Sequence, residues 1–246
     1  MINLDGITFG FAGDGPPVFD SFTWHVGKGE PWSVTGPSGC GKSTLLLLLA
    51  GLLKPQRGTV RIGGRPLQHP SGRTGLILQD YELLPWATVL ENVMLGPRLQ
   101  AGRPVPGRDA ALAWLERLGI RDLARRYPRE ISGGQRQRAA IARTLLLEPE
   151  LVLMDEPFSA LDAANREALQ QLTLDMCAER RITLIVVTHN VEEACLLGRH
   201  ILLLAGMPNR HPDVISNPHA AGTAGAAGEA HAAACARLRE RLREVL

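Results

Sequence analysis

The stretch Gly36-Pro37-Ser38-Gly39-Cys40-Gly41-Lys42-Ser43-Thr44 decides how the rest of the chain is read. It fits G-x-x-x-x-G-K-[ST], a phosphate-binding loop. Glycines reach backbone angles that other residues avoid, so successive N–H groups can curl around phosphate oxygens. Lys42 can reach terminal phosphates, and the Ser43 hydroxyl can ligate Mg²⁺. The apolar run 45–50 reads as the helix that follows, its positive N-terminus aimed at the anion. A mere Gly-rich turn before a buried helix would leave the Lys-Ser pair unexplained. The loop implies a nucleoside triphosphate and leaves open which class of protein uses it.

Working outward, Pro31–Thr35 should be the strand feeding the loop, although it is less apolar than buried strands usually are. Residues 2–9 and 18–26 resemble two strands joined by a turn at Gly13-Asp14-Gly15-Pro16-Pro17. Residues 59–62, closed by Gly63-Gly64, and 74–78, ending at Gln79, add two more. The pattern then turns helical. Thr88-Val89-Leu90-Glu91 is a capping box. Leu112, Leu115 and Leu118 recur at helical spacing, and 132–147 is a long helical stretch. These form a helical insert over about residues 86–148. Leu151-Val152-Leu153-Met154 reads as a buried parallel strand. A helix follows over 162–181 with Asp162 as its N-cap, then a strand at 183–187, a short helix at 191–197 and a last strand at 201–204. The alternation predicts an α/β fold with a mostly parallel sheet, an N-terminal antiparallel β part and the inserted helical subdomain, over residues 1–217. Residues 218–246 are expected to be an Ala/Gly-rich linker and a short helix. Leu238, Leu242 and Val245 share one face of that helix, for docking on a partner, on a membrane surface or on its own domain.

Bulk properties narrow the classes. The chain has 246 residues, enough for one large domain or two small ones, and a formal net charge of only +2, which argues against nucleic acid as a partner. Cys40, Cys177, Cys195 and Cys235 show no C-x-x-C spacing, so a reducing cytosol is expected rather than disulfides or zinc. No signal peptide and no apolar run of roughly 18 residues is seen, so no membrane span is expected.

A second anchor is Leu151-Val152-Leu153-Met154-Asp155-Glu156-Pro157. An apolar strand ending in acids delivers carboxylates to the sheet edge where α/β proteins bind ligands. Asp155 would hold Mg²⁺ directly or through water, and Glu156 would polarise the attacking water as general base. A third is Ile131-Ser132-Gly133-Gly134-Gln135. Ser132 and Gln135 make another capping box, and the two glycines suit close backbone approach to a ligand at a helix N-terminus.

These residues together resemble the ATP-binding-cassette (ABC) ATPases. Ser132, Gly133, Gly134 and Gln135 look like that family's signature, with Ile131 in place of Leu. Gln79 matches the Q-loop, Ser159-Ala160-Leu161-Asp162 the D-loop, and His189 the switch histidine. Phe11 matches the aromatic that stacks on adenine, or is simply a core or surface aromatic. The likeness runs over about residues 2–205. It implies a head-to-tail homodimer sandwiching two ATP molecules with Mg²⁺. Catalytic work would fall to Glu156, His189, Lys42 and Gln79. Metal contacts would come from Ser43, Gln79 and Asp155, and Asp162 would communicate across the dimer. No N-K-x-D guanine-reading motif occurs, unlike the small GTPases.

The run Asp155-Glu156-Pro157-Phe158 and the run from Gln79 through Pro85-Trp86 to Val93 are similar to importers of nitrate, sulfonate and taurine. That implies an ATPase peripheral to the cytoplasmic face of the inner membrane, working with an integral membrane permease. A periplasmic or lipoprotein substrate-binding protein would take part indirectly. The rivals are an exporter ATPase and a soluble non-transport cassette. Gly198-Arg199-His200 departs from the family's usual Asp-Arg.

Overall fold

The computed structural model describes residues 1–13, 15–99, 106–159, 161–218, 220 and 228–245. Strands β1 (Ile2–Phe9) and β2 (Phe19–Val26) form an antiparallel hairpin, Ile2 opposite Val26 and Phe9 opposite Phe19. Strand β3 (Pro31–Thr35) leads into helix α1 (Lys42–Leu49). Strand β4 (Arg57–Ile62) then pairs antiparallel with β1, and the two-residue β5 (Arg65–Pro66) pairs with β4. Strand β4 starts two residues earlier than the expected 59, and β5 was not expected at all, because Gly63 and Gly64 read as a terminator. They instead form a turn with φ of 58° and 77° that sends the chain back.

Strand β6 (Thr74–Ile77) ends just before Gln79. Helices α2 (Val89–Val93), α3 (Leu95–Leu99), α4 (Arg108–Arg117) and α5 (Gly133–Leu145) follow. Both expected capping boxes are present. Thr88 Oγ1 accepts from the Glu91 N–H at 3.3 Å and Ser132 Oγ from the Gln135 N–H at 3.3 Å. Strand β7 (Leu151–Asp155), helix α6 (Ala163–Glu179), strand β8 (Thr183–Val187), helix α7 (Val191–Leu197) and strand β9 (His200–Leu203) restore the alternation. Asp162 caps α6 through the Asn165 N–H at 3.1 Å.

The large sheet has the order β9-β3-β8-β7-β6, all parallel, plus one antiparallel edge strand, β10 (Asp213–Ser216), against β9. The strand at 201–204 is therefore not the last. A short edge strand after Pro212 carries too little apolar pattern to be read in advance. Helix α8 (Glu229–Val245) takes up more than half of the stretch 218–246 and packs Cys235 and Leu238 against Ala194, Cys195 and Ile201. Its own domain is thus one surface it occupies. Of the expected linker, residues 219 and 221–227 lie outside the described residues.

Period-two alternation builds two cores from the sheet's two faces. Leu151, Leu153, Ile185 and Val187 face α1 and the antiparallel sheet. Val152, Met154, Leu184 and Val186 face α2, α4, α5 and α6. Helix α1 is leucine-rich because it lies between two sheets. Strand β3 tolerates buried Ser33 because its hydroxyl donates to the Ala194 carbonyl at 2.9 Å. The same contact explains the departure at Gly198, where a Cβ would lie 2.6 Å from Ser33 Oγ. His200 stacks on Trp32 at 4.7 Å.

Sheet and helical insert meet at one tight point. A Cβ on Gly75 of β6 would lie 2.2 Å from Thr144 Cγ2 of α5. Gly75→Ala should therefore destabilise the fold by about 1–3 kcal/mol. Thr144→Ser, which removes that methyl and keeps the hydroxyl bond to the Ala140 carbonyl at 2.9 Å, should restore most of it. Urea denaturation midpoints of the two single variants and the double variant check this.

Candidate functional site

The parallel register gathers the sequence motifs at one sheet edge. Val187 pairs with Val34 on one side and Asp155 on the other, and Ile77 pairs with Met154. The C-terminal ends of β3, β8, β7 and β6 therefore lie side by side. They carry the phosphate loop, His189, Asp155-Glu156 and Gln79 in that order. This is the edge where α/β proteins bind ligands.

The loop itself is clamped. Gly36, Gly39 and Gly41 take φ of 149°, 78° and 106°. A Cβ on Gly36 would lie 2.2 Å from the Leu204 carbonyl oxygen, and one on Gly41 2.4 Å from Val18 Cγ1. Asn209 closes the clamp, its buried Nδ2 donating to the carbonyls of Cys40 at 2.7 Å and Val18 at 3.0 Å. Lys42 Nζ donates to the carbonyls of Gly36 at 2.8 Å and Pro37 at 2.7 Å. Ser38, Gly39 and Ser43 are exposed, and Gly41 caps α1 without a side chain. The mouth of the loop thus presents backbone, a lysine and a serine, with Thr44 in the first helical turn.

The Ser43 hydroxyl donates to the Asp155 carboxyl. Burial pushes that carboxyl above the usual carboxylate range. The Ser43 hydrogen bond works against the shift, nearby Glu156 adds to it and Lys42 opposes it. A serine hydroxyl joined to one half-buried carboxyl, with exposed Gln79 at the next strand end, is a sparse oxygen set. It fits Mg²⁺, which keeps several waters and substrate oxygens among its ligands. Among the described residues no cluster of three or more His, Cys, Asp or Glu forms a protein-only metal cage.

Glu156 sits at φ 45°, a left-handed angle that aims its side chain off the strand. Its carbonyl accepts from Ser159 Oγ at 2.9 Å, and its N–H donates to the Val187 carbonyl at 2.9 Å. Glu156 Oε1 lies 2.9 Å from His189 Nδ1. A carboxylate and an imidazole in contact at the mouth of the sheet can accept and hold a proton.

Ser132, Gly133, Gly134 and Gln135 gather elsewhere. They line a groove of about 460 Å³ with Leu161 and Asp162, and no residue of 36–44 lines it. A Cβ on Gly134 would lie 2.9 Å from Leu161 Cδ2, so a larger residue there would displace the tip of that side chain. Ala160 lies outside the described residues. Phe11 is 62% exposed and packs edge-on to Phe9 at 5.2 Å, on the hairpin that brings Val18 to Gly41. Trp86 is 74% exposed.

Several residues at the site had no sequence signal. Tyr81 and Glu82 follow Gln79 at φ of 60° and 43°, and Arg143 of α5 grips their carbonyls at 2.7 and 2.8 Å. Arg166 of α6 grips the carbonyls of Phe158 at 3.2 Å and Leu161 at 2.5 Å. Asn209 arrives from beyond β9. Each side chain reads as solvated because its partner is a backbone oxygen, which carries no side-chain signal.

Known proteins resemble this chain in sequence and in fold. An aliphatic sulfonates import ATP-binding protein, SsuB 2 of Burkholderia lata, is 48% identical over 192 residues, covering 78% of this chain and 68% of that protein. The taurine import ATP-binding protein TauB of Pseudomonas aeruginosa is 41% identical over 204 residues, 83% of this chain and 78% of that one. A solved dimeric ATP-binding cassette in a post-hydrolysis state, bound to ADP and Pi, superposes with a TM-score of 0.77 at 30% identity, covering 88% of this chain and 98% of its own. The ABC transporter family model matches residues 19–159, from the start of β2 past Glu156. With the phosphate loop, the acidic strand end and Ser132–Gln135 in these positions, the chain belongs to the ABC transporter family, as one of its ATP-binding subunits.

Proposed function

We propose that this chain is the ATP-hydrolysing subunit of an importer for a small organic or inorganic anion of the sulfonate, taurine or nitrate kind. It would work as a head-to-tail pair, peripheral to the cytoplasmic face of a membrane, with a separate permease. A substrate-binding protein outside the membrane would select the solute. Residues 1–217 would form the cassette, with its helical insert at about 86–148, and 218–246 an appended tail. The observation that carries the pairing is the separation of the groove at Ser132–Gln135 from the phosphate loop. Each is half a site. Among the described residues no helix is long and apolar enough to cross a membrane, which favours a separate permease. Exposed Pro85 and Trp86, just beyond Gln79, suit a contact there. The importer and its solute class follow the printed names of the relatives.

In this reading residues 36–44 hold the ATP phosphates through loop N–H groups and Lys42. Phe11 lies against the adenine. Ser43, Asp155 and Gln79 hold Mg²⁺, which when bound offsets the negative charge of the phosphates. Glu156 accepts a proton from the attacking water, and His189 orients that carboxylate and meets the terminal phosphate. Ser132–Gln135 of the second copy offer a helix N-terminus to the same phosphate. Asp162, beside that groove, carries the closure across the pair.

Glu156→Gln is expected to keep ATP binding and pairing and to lower turnover by about 10²–10⁴-fold. Phosphate release beside equilibrium nucleotide binding measures both. Full turnover in that variant would remove Glu156 as the base. For the transport role, a strain lacking the gene should lose uptake of labelled taurine or an alkanesulfonate, and the subunit should co-purify with an integral membrane protein. Unchanged uptake of both solutes and of nitrate would set the importer assignment aside.

A further inference from the structure

His189 stands on a buried polar ring. The Thr188 side chain, 1% exposed, is hydrogen-bonded to the Glu193 carboxylate. The Asn190 N–H donates to Thr188 Oγ1 at 3.1 Å, and the Glu193 N–H donates to Asn190 Oδ1 at 2.9 Å. Thr188 therefore uses its one hydroxyl proton on the carboxylate and a lone pair on the Asn190 N–H. Residues 188, 190 and 193 close a loop of hydrogen bonds around the backbone of His189. From behind, Gln170 of α6, itself 3% exposed, donates Nε2 to Glu193 Oε1 at 2.7 Å. One turn earlier on the same helix, Arg166 holds the carbonyls of Phe158 and Leu161, and its charge reaches Glu193.

A carboxylate 7% exposed is costly to bury, and nothing at the phosphate loop uses this one. Burial pushes it above the usual carboxylate range, and the Thr188 and Gln170 hydrogen bonds pull it back. Leucine or methionine would fill the volume at lower cost. The charged side chain instead stands where the strand end carrying His189 meets the helix that follows the turn at 158–161.

We infer that Glu193 is a positioning residue for ATP hydrolysis. Through Thr188 its carboxylate sets the backbone that aims His189 at Glu156, and through Gln170 it ties that backbone to α6, whose Arg166 holds the carbonyls of Phe158 and Leu161. The inference rests on the proposed role of His189. Glu193 touches neither nucleotide nor water in this account and acts only through the histidine. Losing it lets the imidazole drift from its 2.9 Å contact with Glu156. Nucleotide binding at the phosphate loop is untouched. Gln at 193 keeps the ring, its amide oxygen accepting from Gln170 and its NH₂ donating to Thr188.

The test is a double-mutant cycle on the full chain, with ATP turnover, ATP affinity and thermal midpoint read together. Glu193→Met should lower kcat about 10-fold or more, the usual scale for a lost supporting hydrogen bond, with ATP affinity unchanged. Glu193→Gln should recover most of that loss. In a His189→Ala background, Glu193→Met should add nothing further. Thr188→Val, which removes only the hydroxyl, should repeat the pattern and replaces Glu193→Met if that variant fails to fold. A kcat loss of the same factor in the His189→Ala background would overturn the inference while leaving His189 in place. So would joint loss of ATP affinity and thermal midpoint in both Glu193→Gln and Thr188→Val. Full turnover in His189→Ala alone would overturn the reading of His189, and this inference with it.

Discussion

Val187 is held in register between Val34 and Asp155, and that shared ladder is the constraint on which the site depends. Parallel pairing puts the ends of neighbouring strands at one edge. Because β8 lies between β3 and β7, the residues just past Val187 emerge between the phosphate loop and the acidic strand end. His189 meets Glu156 there without any long-range contrivance. A one-residue slip of β8 would exchange Leu184 and Val186 with Ile185 and Val187 between the two faces and carry His189 about 3.3 Å along the edge. The leucine and valine sets on the two sheet faces therefore guard the site as well as the fold.

A second tier of contacts aims what the sheet gathers. Backbone carbonyls recur as partners: Arg143 takes those of Tyr81 and Glu82, Arg166 those of Phe158 and Leu161, and Asn209 those of Val18 and Cys40. Each fixes a turn beside one of the candidate site residues. Such turns leave carbonyls unpaired by the sheet ladder, and a buried carbonyl needs a donor. Arginine suits the task because its planar fork can bond two oxygens at once. Arg143 also joins the helical insert to the segment after Gln79, so movement of either shifts the other. That mechanical link fits a cassette whose helical insert would carry half of a partner's site.

Legibility in the sequence followed distance along the chain. The phosphate loop, the capping boxes at Thr88 and Ser132, and the Asp162 cap were readable because their partners lie within three residues. Strands β7 and β8 were readable because burial on both faces leaves a continuous apolar run. What failed to show depended on distant partners. Ser33 looked too polar for a central strand until its hydroxyl met the Ala194 carbonyl, and Gly198 looked like an arbitrary departure until it met Ser33. Strand β10 was missed because an edge strand of four residues has only one face to pattern. The two glycines at 133–134 pointed to a ligand, and Gly134 proved to have a neighbour of its own in Leu161.

The central claim is that one chain holds two halves of different ATP sites. Specific ATPase activity measured against protein concentration, with the mass in solution followed by light scattering, tests it most directly. The account predicts that activity per subunit falls on dilution as pairs dissociate, while each monomer still binds ATP. Activity per subunit that stays constant at concentrations where only monomer scatters would contradict it.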